Sequence, residues 1–234
     1  MSKGQLPFQN QLLARLPKDE FERLARKIQA VSFPFKQVLY EAHTPIEYAY
    51  FPVRGVLSAV TVMEDGSAIE VATIGNEGMT GLLALFGDGT SPNEVMVQVE
   101  GDGLRMDVEL LRLVAGREGP LRRVLRRYET AFHAQVSQGL ACNGLHPVQQ
   151  RCCRWLLMTQ DRVDSESLPL THEFLAVMLG VRRASVTEVL GPLQDQGLIE
   201  NHRGVITVID RKGLEAACCE CYRKILEEFH RALD

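Results

Sequence analysis

Residues 171–199 read THEFLAVMLGVRRASVTEVLGPLQDQGLI, and their spacing decides how the last third of the chain folds. Thr171 is a helix cap, followed in the first turn by Glu173, where the positive end of a helix favours negative charge. Leu175 and Leu179 fall on one face beside Ala176, whose small side chain lets a second helix cross closely. Gly180 comes next and suits a left-handed turn conformation. Val181 continues the turn, and Val186, Val189, Leu190 and Leu193 form the inward face of the second helix. Two helices joined by a tight glycine turn, with small and branched residues where they cross, make a helix-turn-helix. Pro192 deprives the Glu188 carbonyl of its amide partner and crowds it, so a kink or early fray is expected there.

The residues left outside are Arg182, Arg183, Ser185, Thr187 and Glu188, clustered at the start of the second helix. That is the end a recognition helix pushes into the major groove of DNA. Arginine reads guanine edges or clamps phosphate, hydroxyls serve base or phosphate, and a carboxylate accepts from the cytosine amino group. Thr171 joins them as a DNA-contact candidate. Glu188 is either a base reader or the partner that holds an arginine in place. Beyond the helices, LIENHRGVITVI (198–209) reads as a two-stranded wing turning at His202-Arg203-Gly204. Arg203 at its tip is a candidate phosphate contact.

Upstream the character differs. Residues 8–29 carry helical spacing broken at Pro17, and from Val31 to Met106 the pattern turns to strands. VLSAVTVM (56–63) and AIEVATI (68–74) flank the hairpin signal Asp65-Gly66, and EVMVQVEG (94–101) is a third strand. Frequent glycines and prolines punctuate these short strands, which predicts an antiparallel roll or barrel. Asp107 caps a helix that stops at Gly116, and Pro120 opens a longer one. Its first 24 residues, PLRRVLRRYETAFHAQVSQGLACN, would span about 36 Å. Leu121, Leu125, Tyr128, Phe132, Val136 and Leu140 form one apolar stripe on it, expected to pair with a second copy. His146-Pro147 ends it. The expected organisation is a sensor roll over 1–118, a dimerisation helix over 119–146 and a DNA-binding domain over 147–234, an α+β architecture.

The bulk composition limits the function classes. With 45% hydrophobic and 24% charged residues the chain has an ordinary globular composition. No apolar run approaches the roughly 20 residues of a membrane span, and the amino terminus carries no secretory pattern, so a cytoplasmic protein with no membrane partner is expected. The net charge is −4. Residues 147–234 hold 11 Lys and Arg against 13 Asp and Glu, a net −2, so any nucleic acid is met through a local patch.

The glycine-rich roll, the long helix, LAVMLGVRRASVTEVLGPLQDQGLI and the wing ending VITVID together resemble the CRP/FNR superfamily of bacterial transcription regulators. The stretches YAYFPVRGVLSAV (48–60) and IGNEGMTGLLALFG (74–87) look like that family's effector-binding domain. The resemblance implies a homodimer on a two-fold-symmetric operator, working with RNA polymerase and an effector of unknown identity. In cyclic-AMP-binding members a Gly-Glu-Leu-Gly type turn is followed by an Arg-Ser or Arg-Thr pair that holds the phosphate. Here the region reads GMTGLLALFGDGTSPNEVMV (78–97): the glutamate is missing, and Asn93-Glu94 stand where the pair would be. A carboxylate repels a cyclic phosphate, so cyclic nucleotide is disfavoured. No cysteine precedes Cys142, which removes the iron–sulfur pattern of oxygen-sensing members, and His43 alone precedes the long helix, too little for haem. The family's recognition helix often carries Arg, then Glu or Ser, then a second Arg a turn later. Arg183 and Ser185 match, while Ala184 and Glu188 depart, so the operator differs from those of the best-known members.

Cys152-Cys153 and Cys218-Cys219-Glu220-Cys221 do not repeat the separated pairs of most zinc sites. On one continuous helix Cys218 and Cys221 share a face while Cys219 points elsewhere, and reduced thiols packing an apolar core are expected. A thiol- or metal-responsive regulator is the alternative. An enzyme on the roll would need several histidines with a carboxylate, and residues 1–120 hold only His43. A protein-interaction module with a vestigial helix-turn-helix is the other rival, favoured by Glu188 and the negative charge.

Overall fold

The computed structural model describes residues 9–163 and 165–233. Two short helices, α1 (Gln11–Ala14) and α2 (Lys18–Ala25), precede the roll. Its strands are β1 (Gln29–Phe33), β2 (Val38–Tyr40), β3 (Tyr48–Val62), β4 (Ala68–Ile74) and β5 (Glu94–Asp107), with helix α3 (Leu82–Phe86) between the last two. They form one antiparallel sheet in the order β1-β5-β3-β4, and β2 also pairs with β5. The β3–β5 ladder shifts register three times between Pro52 and Leu57, and these bulges bend two long strands into a roll. Strands β1 and β2 were not evident from periodicity: both are short and half-exposed, so neither shows a clean alternation.

Helix α4 (Val108–Ala115) starts on the Asp107 carboxylate, which accepts from Leu110 N at 3.1 Å. The long helix α5 (Pro120–Leu145) follows, then α6 (Val148–Gln160). Next come β6 (Ser167–Pro169), α7 (His172–Leu179), α8 (Arg183–Asp195), β7 (Ile199–His202) and β8 (Val205–Val208). Strands β6, β8 and β7 form a small antiparallel sheet, so the wing has three strands where two were expected. The chain ends in α9 (Arg211–Ala217) and α10 (Cys221–Leu233). A single last helix was expected. The break between them lies at the cysteines.

One apolar core runs from Leu12 through the roll and α5 to Leu233. The two ends are therefore not separate lobes. Every residue of α6 from Arg151 to Thr159 is buried. Trp155 Nε1 donates to Glu70 on β4 at 2.8 Å, and Gln98 on β5 donates to Thr159 at 2.9 Å. The Arg162–Glu77 pair, almost wholly buried, adds a charge link at 2.9 Å.

The apolar stripe of α5 is divided between jobs, which corrects the expectation that all of it faces a second copy. Leu121, Leu125 and Tyr128 are fully buried within the chain. Tyr128 donates to the Met79 carbonyl at 3.1 Å, and its ring packs tilted against Phe229 of α10 with centroids 6.2 Å apart. Phe132 and Val136 are half-buried against the sheet. Leu140 alone of the six projects outward, 76% exposed. Helix α10 returns along α5, with Phe229 against Tyr128 and Cys221 beside Gln138, and the sheet takes Phe132 and Val136. Among the described residues, no helix is long and apolar enough to cross a membrane.

Candidate nucleic-acid interface

The helix-turn-helix assembles from local backbone chemistry. Thr171 accepts from Phe174 N at 3.2 Å and starts α7. Gly180 ends it in the left-handed region at φ +62, ψ +44. A Cβ at Gly180 would also come within 2.5 Å of Ile69 Cδ1 on β4, so the turn is held against the roll. Leu175, Leu179, Val186, Leu190 and Leu193 are buried where α7, α8 and α6 meet, and Arg151 of α6 donates to the Leu179 carbonyl. Helix α8 passes through Pro192 and continues to Asp195, so the expected early fray does not occur. Leu193, fully buried one residue later, anchors that last turn, and its carbonyl accepts from Leu198 N at 3.0 Å.

The outward residues are gathered at the start of α8. Arg182 is its extended N-cap, with no cap bond from its side chain. Arg182, Arg183, Ala184, Thr187 and Glu188 are exposed and Ser185 is half-buried. Arg183 Nε lies 2.6 Å from Glu173 Oε1 on α7, with both side chains about two-thirds exposed. Glu173, read from sequence only as a helix-end charge, thus occupies the arginine-holding role considered for Glu188.

Thr187 is engaged within the protein. Its hydroxyl lies 3.0 Å from His172 Nδ1, and His172 Nε2 lies 2.7 Å from Asn201 Nδ2 on the wing. If Asn201 donates to Nε2, the imidazole proton sits on Nδ1 and is donated to Thr187, so a neutral His172 satisfies both bonds. His172 and Asn201 were missed in the sequence because their link spans 29 positions and leaves no periodic trace. Arg203 stands exposed at the wing tip with φ +49, followed by Gly204 at φ +81, the backbone of a tight hairpin turn.

Known proteins share this arrangement. Residues 150–217 match the Crp-like helix-turn-helix domain, and residues 30–115 match the cyclic nucleotide-binding domain. The transcriptional regulator SdrP of Thermus thermophilus is 27% identical over 175 residues, 73% of this chain and 84% of that protein. The global nitrogen regulator of a Nostoc species is 25% identical over 192 residues, 76% of this chain and 83% of that one. FixK2 from Bradyrhizobium japonicum, 17% identical, shares the fold with a TM-score of 0.70 over 82% of this chain and 98% of its own. The chain belongs to the CRP/FNR superfamily. It is a transcription regulator of that type, with a helix-turn-helix DNA-binding domain.

The roll of this CRP/FNR chain holds a cavity of about 70 Å³ lined by Tyr40, Ile46, Met79, Thr80, Leu83 and Asn93 among others. Its lining includes no charged side chain. The glycine turn beneath it packs against the long helix: a Cβ on Gly78 would overlap the Tyr128 hydroxyl. Gly78 therefore serves a close approach of roll and helix. Asn93 donates to Thr61 at 2.7 Å, a bond inside the roll.

Proposed function

We propose that the chain is a homodimeric regulator that reads a two-fold-symmetric DNA operator through the start of α8. The observation that carries this is the exposed cluster Arg182, Arg183, Ser185 and Glu188, raised on a buried two-helix scaffold beside the wing. Arg182 and Arg183 bring positive charge to a helix start that already favours phosphate. Arg203 serves the flanking backbone. Thr187 acts through His172, holding helix and wing in one orientation, and Thr171 by capping α7. As a reader of operators the protein works in the cytoplasm, alongside RNA polymerase, and carries out no catalysis of its own. The segments 1–118, 119–146 and 147–234 serve as sensor, connector and reader.

The dimer face lies on the side of α5 that the chain leaves open. Arg126, Thr130, His133, Ser137, Leu140 and Gly144 are all exposed and follow one another at alternating four and three residues, one continuous face of the helix with Leu140 as its apolar contact. Leu145, 81% exposed, extends its apolar end. The roll of this protein does not take a cyclic nucleotide. Small-molecule sites usually measure 300–1,000 Å³, several times the roll cavity, and no cation lines it to meet a phosphate.

The test is selection of DNA from a random pool by the full-length protein, followed by mobility shift. A palindromic site is expected, with Arg183→Ala weakening it at least tenfold and relaxing preference at one base position. The interaction-module reading draws on the Glu173–Arg183 pair, which offsets one reading charge. Failure to enrich any sequence would establish that reading instead.

A further inference from the structure

Four side chains that the DNA-reading machinery does not use converge at the far end of the long helix. Cys142 lies in the last turn of α5, and His146 is the extended residue that caps it, its N–H donated to the Cys142 carbonyl. Cys219 and Cys221 come from the break between α9 and α10. The Cys, His, Cys and Cys donor atoms all lie within 4.8 Å of one another. Cys142 Sγ is 3.5 Å from Cys219 Sγ, and Cys221 Sγ is 3.5 Å from His146 Nδ1. All six cysteines are free thiols.

The backbone around the second pair is arranged for this meeting. On a continuous helix Cys219 and Cys221, two positions apart, would face opposite sides. The stretch AACCECY (216–222) holds no glycine or proline to interrupt one. Yet the chain turns extended at Cys218, φ −81 and ψ 160, and α10 restarts at Cys221. That interruption brings both sulfurs to one side.

We propose that Cys142, His146, Cys219 and Cys221 form a mononuclear, tetrahedral site for a zinc-class divalent cation. Zinc–sulfur bonds of about 2.3 Å imply sulfur atoms about 3.8 Å apart around a tetrahedral ion, close to the spacing here. The surrounding groups orient the donor atoms. His146 Nε2 faces the Glu220 carboxylate at 3.4 Å, which fixes the proton on that nitrogen and leaves the Nδ1 lone pair toward the sulfurs. Gln138 Nε2 donates to Cys221 Sγ at 3.1 Å, which orients that sulfur toward the group. The three thiols release their protons to solvent as the ion binds, so affinity rises with pH. Cys152 and Cys153 lie in the α6 core, outside the group, and Cys218 points to the Gln150 carbonyl at 3.8 Å. The ion would join the end of α5 to the chain just past the wing. Its bearing on DNA binding rests on the reading-helix assignment above; its binding does not.

The full-length protein, purified anaerobically with reductant, is expected to carry one zinc per chain. After chelation, titration with Co²⁺ is expected to give thiolate charge-transfer absorption and intense tetrahedral d–d bands, saturating at one ion per chain. Cys219→Ser and His146→Ala should each weaken Co²⁺ binding at least tenfold, while Cys218→Ser keeps both stoichiometry and spectrum. A folded wild-type apo chain giving only the weak octahedral Co²⁺ spectrum would overturn the site, as would sulfide-to-iron absorption from a cluster. A chain that binds Co²⁺ this way yet selects no DNA upholds the site and removes the operator reading.

Discussion

Glu70 shows how much one side chain can carry between the two halves of this protein. It sits on β4 beneath Trp155 of α6, and burial pushes its carboxyl up to about 7, although Ser58, Arg154, Trp155 and Arg162 all pull the other way. Ser58 Oγ lies 2.6 Å from Glu70 Oε2 and 2.8 Å from Gln98 Oε1, and a hydroxyl has one proton to give. Protonated, Glu70 donates to Ser58, Ser58 donates to Gln98, and Gln98 donates to Thr159, so every partner from β4 to α6 is satisfied. Ionised, the carboxylate takes the Ser58 proton and Gln98 Oε1 loses its donor. A carboxyl whose folded value exceeds its unfolded value contributes fully below the unfolded value, here 4.5, and that contribution is lost as pH rises through about 7. Denaturant unfolding at pH 5 and pH 8 should therefore show about 1–3 kcal/mol less stability at the higher pH from this group. Glu70→Gln is expected to remove that part of the pH dependence. A pH profile unchanged by the substitution would sink the assignment.

At the scale of elements, α8 tolerates a proline because of where it lies. A proline inside a helix costs ~3 kcal/mol, but Pro192 is three residues from the end of α8, and the anchored Leu193 keeps the turn closed. Pro192→Ala should stabilise the protein by about 1 kcal/mol, the regained hydrogen bond being partly offset by a freer unfolded chain. Thermal unfolding checks the gain, and mobility shift should find DNA affinity unchanged, since the residues proposed to read DNA lie at the other end. What could be read from sequence at this scale was local: the caps at Asp107 and Thr171, the left-handed Gly180 and the turn at Asp65-Gly66 follow from the chemistry of a few adjacent residues. The break before Cys221 was not legible, because no breaker residue marks it and its partners on α5 lie 75 or more positions away. The His172–Asn201 link escaped for the same reason.

For the whole molecule, the long helix was correctly located and incorrectly oriented. Its apolar stripe suited a partner, but a stripe says only that something covers it, and within the same chain α10 and the sheet cover all of it but Leu140. The two parts of the stripe therefore respond differently to substitution. Leu140→Glu should shift the protein from dimer to monomer in analytical ultracentrifugation and leave the thermal stability of the monomer within about 0.5 kcal/mol, as for exposed positions generally. Tyr128→Ala should instead destabilise each chain by about 3–5 kcal/mol, as loss of a fully buried aromatic does. A Leu140→Glu protein that stays dimeric would move the interface elsewhere.

The burial of α6 against the sheet also bears on how this protein can be taken apart. His146-Pro147 marks where a designer of fragments would cut, yet a piece beginning there would leave Trp155, Met158 and Thr159 facing water on the side where β4 and β5 had been. Such a fragment has lost one wall of its own interior. The helix-turn-helix end of this protein and its roll share one interior, so neither can be cut away without opening the other.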